Sequence, residues 1–222
     1  MQAMARQVRS EATRRKILDA AIEVFGEVGY ASAARAAIIE RAGMTKGALY
    51  HHFESMDSLA SAIIEEGSGV VLGTFRAMCE SSSPGLENMI HGMFAAAEVL
   101  ASDKVARVAE QLTFALGEFN ESAARVYANW LEAMATEAGR ASAEGDLKEG
   151  LDPEAVSESI VGAMLGTRLL FRATSDGDLI GQLSRMWELL LPAVVADESL
   201  PYFREFLARE ALRRNGSPNE SH

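Results

Sequence analysis

Cysteine is almost absent from this chain, proline is scarce, and no apolar run is long enough to cross a bilayer. Each shortage excludes something. With Cys79 as its one cysteine, the chain can close no internal disulfide and build no multi-cysteine zinc site; packing within a helix is the expected place for it. The longest uncharged stretches, such as residues 159–167, fall far short of the ~20 apolar residues a membrane helix needs. The N-terminus is basic but carries no apolar signal core, so a cytoplasmic location without membrane contact is expected. Walker loops, Gly-x-Ser-x-Gly elbows, metal-ligand spacings and paired-carboxylate motifs are all missing. An enzyme is therefore not expected, nor a catalytic residue, a metal or a cofactor. The neighbours His51 and His52 point ~100° apart on a helix and have no third ligand near.

Helix-favouring residues fill the space. Alanine, leucine and glutamate are abundant, and 48% of the chain is hydrophobic, enough for a sizeable core. These features predict an all-α fold. Helices are expected over residues 13–27, 33–41, 45–53, 55–78, 84–101, 103–116, 121–143, 153–173, 179–195 and 201–213, from apolar spacing, caps and breakers. Residues 1–12 read as a mobile arm and 215–222 as a disordered tail. Gly67, Gly69 and Gly73 are expected to bend the fourth helix. Asp152-Pro153 opens a long helix by the cap-then-proline rule.

Charge divides the chain in two. Residues 1–54 hold eight Lys and Arg against six Asp and Glu, whereas residues 55–222 hold 13 against 26. Five cations (Arg6, Arg9, Arg14, Arg15, Lys16) and one anion (Glu11) lie in the first 16 residues. Positive charge thus sits where phosphate contacts would be made, and the acidic remainder points to a different job. A division at residues 54 and 55 is expected, with a small N-terminal domain and its basic arm before it and a larger helical domain over 55–214.

The most informative stretch is Thr45-Lys46-Gly47-Ala48-Leu49-Tyr50-His51-His52-Phe53. A short helix, a tight turn carrying Gly43 and a second short helix make a helix-turn-helix, whose second helix enters the DNA major groove. Thr45 can cap that helix, Lys46 supplies a leading cation, and Gly47 and Ala48 allow close approach. Tyr50, His51 and His52 offer polar tips to the backbone. Ser32 is expected to cap the helix before the turn. Arg6 and Arg9 suit a narrow minor groove.

These residues carry a resemblance. Residues 13–66 resemble the DNA-binding domain of TetR-family transcriptional regulators, through Ile17-Leu18-Asp19-Ala20-Ala21, Phe25, Gly29-Tyr30, Ile38, Ala42-Gly43, Thr45 to Tyr50, Phe53, Ser55 and Leu59. The part resembling the family begins at Met4. The family usually has threonines where Ala33 and Ala34 stand, an apolar residue at Arg35 and a lysine at Met56. The lysine's loss implies a weaker phosphate grip at the fourth helix.

The C-terminal part has methionines and aromatics at helical spacing, able to pack as core or to line an apolar cavity between helices. The candidate lining is Met89, Phe94, Phe114, Tyr127, Trp130, Met134 and Met164, with Gln111 and Thr167 to orient a small molecule. Trp130, Glu144-Gly145-Asp146-Leu147, Val161-Gly162 and Gly166 are similar to the γ-butyrolactone-receptor branch of the family, where the matching tryptophan lines the ligand pocket. That branch usually has a threonine where Ala163 stands. Loss of the hydroxyl points away from a butyrolactone towards a related furan, lactone or fatty molecule. An apolar stripe (Val161, Leu165, Leu169, then Leu183, Trp187, Leu190) corresponds to the paired helices through which the family dimerises. The resemblance implies a homodimeric, ligand-responsive, sequence-specific regulator of transcription. The expected form is a repressor on a palindromic double-stranded operator, released by a small apolar or lactone-like effector.

Overall fold

A computed structural model of the chain describes residues 2–80, 82–174 and 178–215. Among these the secondary structure is ten α-helices. They are α1 (Gln2–Val28), α2 (Arg35–Ala42), α3 (Lys46–His52), α4 (Met56–Cys79), α5 (Gly85–Ser102), α6 (Lys104–Leu116), α7 (Glu121–Glu144), α8 (Pro153–Thr174), α9 (Leu179–Val194) and α10 (Leu200–Asn215). The all-α expectation holds. No helix among the described residues is long and apolar enough to cross a membrane.

The chain packs as two compact units, Met1–Val71 with Leu100–Tyr127, and Leu72–Val99 with Ala128–His222. These bounds differ from the expected division at 54 and 55, because the first part of α4 packs in the same core as α1 and α6 returns to it. In that unit α1 packs against α2, α3 and α6. Ile17, Leu18, Ala21 and Phe25 of α1 meet Ile38, Leu49, Leu59, Ile63, Val108 and Leu112 in one buried cluster.

The expectation for the start of α1 is corrected. The mobile arm is helical from Gln2, since residues 2–12 contain neither glycine nor proline and nothing there stops a helix. The expected tail, 215–222, lies outside the described residues apart from Asn215. The three glycines expected to bend α4 lie within one continuous helix. They differ from one another. A Cβ on Gly67 would lie 2.6 Å from the Val105 carbonyl oxygen and 2.5 Å from the Ala109 Cβ, whereas one on Gly69 would meet nothing within 4 Å. The two alanine variants should therefore shift stability in opposite directions. Gly67→Ala forces α4 and α6 apart at a cost of about 1–3 kcal/mol, and Gly69→Ala gains up to about 1 kcal/mol of helix propensity. Denaturant melts of the two proteins check the sign.

Helix starts follow local chemistry. Ser55 and Ser58 cap each other across the first turn of α4, with N–H to Oγ distances of 2.9 and 3.1 Å, a reciprocal capping box. The Asp103 carboxylate accepts from the Ala106 N–H at 2.8 Å to open α6. Asp152 precedes Pro153 at the start of α8 and accepts from the Glu154 N–H at 3.1 Å. In the second unit α9 packs on both α8 and α10, around Trp187, Leu191, Phe203 and Leu207.

Candidate nucleic-acid interface

The helix-turn-helix is built by three local devices. Gly43 ends α2 in the left-handed region at φ 62°, and the following Met44 N–H donates back to the Ile39 carbonyl at 3.2 Å. That is a helix stop which a residue with a Cβ resists. Thr45 then caps α3, its Oγ1 accepting from the Ala48 N–H at 3.2 Å. Leu49, 1% exposed, pins α3 to the core. With Leu49 inward, Thr45, Lys46, Gly47, Tyr50 and His51 are left exposed, and Ala48 and His52 half-buried.

The expected cap of α2 is corrected. Ser32 lies exposed in the preceding turn, and the capping position is Ala34, which offers no side-chain acceptor. Local sequence placed a hydroxyl near the helix start, but the chain turns too early for it to reach.

The cations that precede α4 fall into two sets. Arg15 pairs with Asp19 and Glu66, and Arg41 with Glu23 and Glu27, so these tie helices together. The Arg41 guanidinium holds the Glu27 carboxyl below its ordinary range. Arg6, Arg9, Arg14, Lys16, Arg35 and Lys46 have no ion-pair partner among the described residues. Arg6 and Arg9 are exposed on the helical extension of α1. The Arg14 guanidinium sits 5.1 Å from the Phe53 ring centroid. His51 and His52 meet edge to face at 5.0 Å. Burial holds His52 below its ordinary pKa, with repulsion from His51 and Arg14 adding to it. Among the described residues no group of three metal-ligating side chains forms.

The sequence that builds this turn matches a known family. The model for bacterial regulatory proteins of the tetR family matches residues 17–63, and a tetracyclin repressor-like C-terminal domain matches residues 109–187. The A-factor receptor protein of Streptomyces griseus is 33% identical over 192 residues, covering 86% of this chain and 67% of that protein. This chain belongs to the TetR family. Among solved structures, a gamma-butyrolactone receptor (ArpA-like protein) aligns with a TM-score of 0.76 at 27% identity, covering 92% of this chain and 99% of that one. CprB from Streptomyces coelicolor, in complex with its biological operator sequence, aligns at 0.73 and 27% identity, again covering 92% and 99%. Members of the TetR family are ligand-responsive DNA-binding repressors, and this chain is a DNA-binding transcriptional regulator of that kind.

The remaining expected residues of this TetR protein divide between the two units. Met89, Phe94, Trp130, Met134 and Met164 are buried in the second, and Thr167 is half-buried there. Gln111, Phe114 and Tyr127 are half-buried in the first, where the Tyr127 hydroxyl donates to the Thr113 carbonyl at 3.2 Å. Burial raises the Tyr127 pKa, with Glu110 adding to it. Sequence reasoning missed Phe75, whose ring meets Trp130 edge-on at 5.1 Å and closes against Gly92, where a Cβ would come within 2.5 Å of it. The signal for that contact, a glycine opposite an aromatic on another helix, is not readable along one chain. Cys79 is half-buried and burial pushes its thiol up to about 12, so it is no nucleophile at neutral pH.

The expected dimer stripe needs a correction of phase. Val161, Leu183 and Trp187 are buried within the protomer's own core at 3%, 1% and 0% exposure. Leu165 and Leu190 are half-buried. Leu169 is exposed, as are Leu170 and Leu189, which sequence reasoning did not single out.

Proposed function

We propose that the protein is a homodimeric, cytoplasmic repressor that binds a palindromic operator through α3 and leaves it when a small apolar or lactone-like molecule enters the C-terminal domain. The carrying observation is the set of unpaired cations beside a capped α3 that exposes Thr45, Lys46, Gly47, Tyr50 and His51. Residues 1–54 supply the DNA contacts, with Arg6 and Arg9 reaching the duplex from a helix. Residues 55–214 supply the effector site and the interface. The dimer holds its two recognition helices one major-groove turn apart, or a multiple, at roughly 34–36 Å per turn.

The effector reading draws support from the A-factor receptor and gamma-butyrolactone receptor relatives and from the apolar side chains clustered in the second unit. Trp130 is the residue assigned to the ligand. Ala163 in place of a hydroxyl favours a furan, lactone or acyl chain over a ligand needing a donor at that point. The effector prefers a dimer whose DNA-binding units are splayed, with α4 carrying the shift. By linkage, DNA then weakens effector binding by the same factor. The ligand leaves unchanged, since the protein is not an enzyme and uses no cofactor.

Tryptophan fluorescence tests this. Trp187 is wholly buried and its Nε1 has no hydrogen-bond partner, so Trp187→Phe breaks no hydrogen bond and leaves Trp130 as sole reporter. Titration with butyrolactones, furans and short acyl compounds should change its emission, and the responding compound should release the protein from a footprinted operator. Trp130→Phe should cost about 1–2 kcal/mol of stability, lower effector affinity and leave operator affinity near the parent's. Equal effector affinity in parent and Trp130→Phe would return Trp130 to ordinary core.

A further inference from the structure

Two cations lie against the Tyr50 ring. Arg35, the first residue of α2, donates from Nη1 to the Tyr50 hydroxyl, and its guanidinium carbon lies 4.8 Å from the Tyr50 ring centroid. Lys46 Nζ lies 5.7 Å from the same centroid, one helical turn before. Neither cation has a carboxylate partner among the described residues. Arg35 Nε is buried with no hydrogen-bond partner, while Tyr50 is 40% exposed. An arginine here stabilises little by itself. It holds a half-buried guanidinium with one N–H unsatisfied, no counter-ion, and only a ring and a hydroxyl as partners. What the arrangement lacks is an anion.

Resting on the DNA-binding reading above, we infer that Arg35, Lys46 and Tyr50 form a composite seat for one backbone phosphate, with Arg35 as the positioning residue. The Tyr50 oxygen accepts from Arg35, so its single proton is free to donate outward to a phosphate oxygen. The guanidinium, bonded to the hydroxyl and close to the ring, fixes Tyr50 and adds one of the two positive charges around it. Arg35 and Tyr50 lie 15 residues apart, so only the turn at Gly43 brings them together.

The test compares Arg35→Leu, Arg35→Gln, Arg35→Lys and Tyr50→Phe with the parent. Two duplexes serve as probes, a short random-sequence one and one selected by the parent protein from a random pool. Each is titrated over a range of KCl. Arg35→Leu should weaken binding to both probes by the same factor, roughly tenfold for a lost charge-assisted contact. Its log–log salt dependence should be shallower by about 0.9 per protomer. Arg35→Gln should do the same and serves if the leucine variant fails to fold. Arg35→Lys should keep the parent's salt slope with intermediate affinity, because charge survives and positioning does not. Tyr50→Phe should weaken binding without moving the slope, since no charge is lost. The inference alone is overturned if the parent binds the selected duplex while Arg35→Leu or Arg35→Gln keeps the parent's slope. A loss confined to the selected duplex also overturns it, by making Arg35 a determinant of base reading. A parent that binds neither duplex overturns the DNA-binding reading, and this inference with it.

Discussion

Lys46→Ala should lose operator affinity by about 1–3 kcal/mol, a factor of roughly 5–150. Three features make the effect direct. Lys46 is exposed at the leading end of α3. It has no ion-pair partner among the described residues, so no intramolecular bridge is lost with it. The helix itself is held by the Thr45 cap and by buried Leu49, so removing an exposed side chain should leave the fold intact. If Lys46 belongs to the phosphate seat around Tyr50, the variant weakens all sequences alike and its salt slope falls by about one unit per protomer. A loss concentrated at one base pair would instead place the ammonium on a guanine edge. Binding of Lys46→Ala at parental affinity, in a titration against the footprinted operator, would take α3 out of the groove.

The recognition helix was legible in sequence because its determinants are local. A glycine stop, a threonine cap and one inward leucine lie within seven residues, and the stop and the cap act on backbone groups no more than five positions away. The same holds for Asp152-Pro153 at the head of α8. What failed was non-local. Ser32 suits a cap by residue type, but whether a hydroxyl reaches an N–H depends on how the turn after Gly29 is wound. The glycines of α4 looked alike in sequence, yet only Gly67 faces α6 closely. The Arg35–Tyr50 contact joins two helices through a turn, and arginine's usual place at a helix start is solvent. In α9 the apolar residues Leu183, Met186, Trp187, Leu189, Leu190, Leu191 and Val194 cover more than one face. Periodicity finds such a helix but cannot choose which face meets its own core. Packing against α8 and α10 decides that, and it turns Trp187 inward.

The inward turn of Trp187 restricts which side chains can meet a second subunit. A dimer seam on α8 and α9 must use what the protomer leaves outside, namely Leu169, Leu170 and Leu189, which are 53%, 64% and 79% exposed. Arginine at an exposed position costs the isolated protomer little. In a twofold interface the same substitution appears twice and buries two unpaired charges. Leu169→Arg and Leu189→Arg should therefore keep parental helicity yet sediment as monomers. Operator affinity should fall roughly 10²–10⁴-fold, the factor lost when two linked binding units become independent. Leu183→Arg should behave differently. Its side chain is 1% exposed and packs in the protomer's own core, so the charge should unfold the second unit rather than merely split a dimer. Sedimentation, circular dichroism and operator titration on the three proteins separate these outcomes. If Leu169→Arg and Leu189→Arg both remain dimeric and bind the operator as the parent does, the subunits meet through another face, and the exposed leucines of α8 and α9 play no part in assembly.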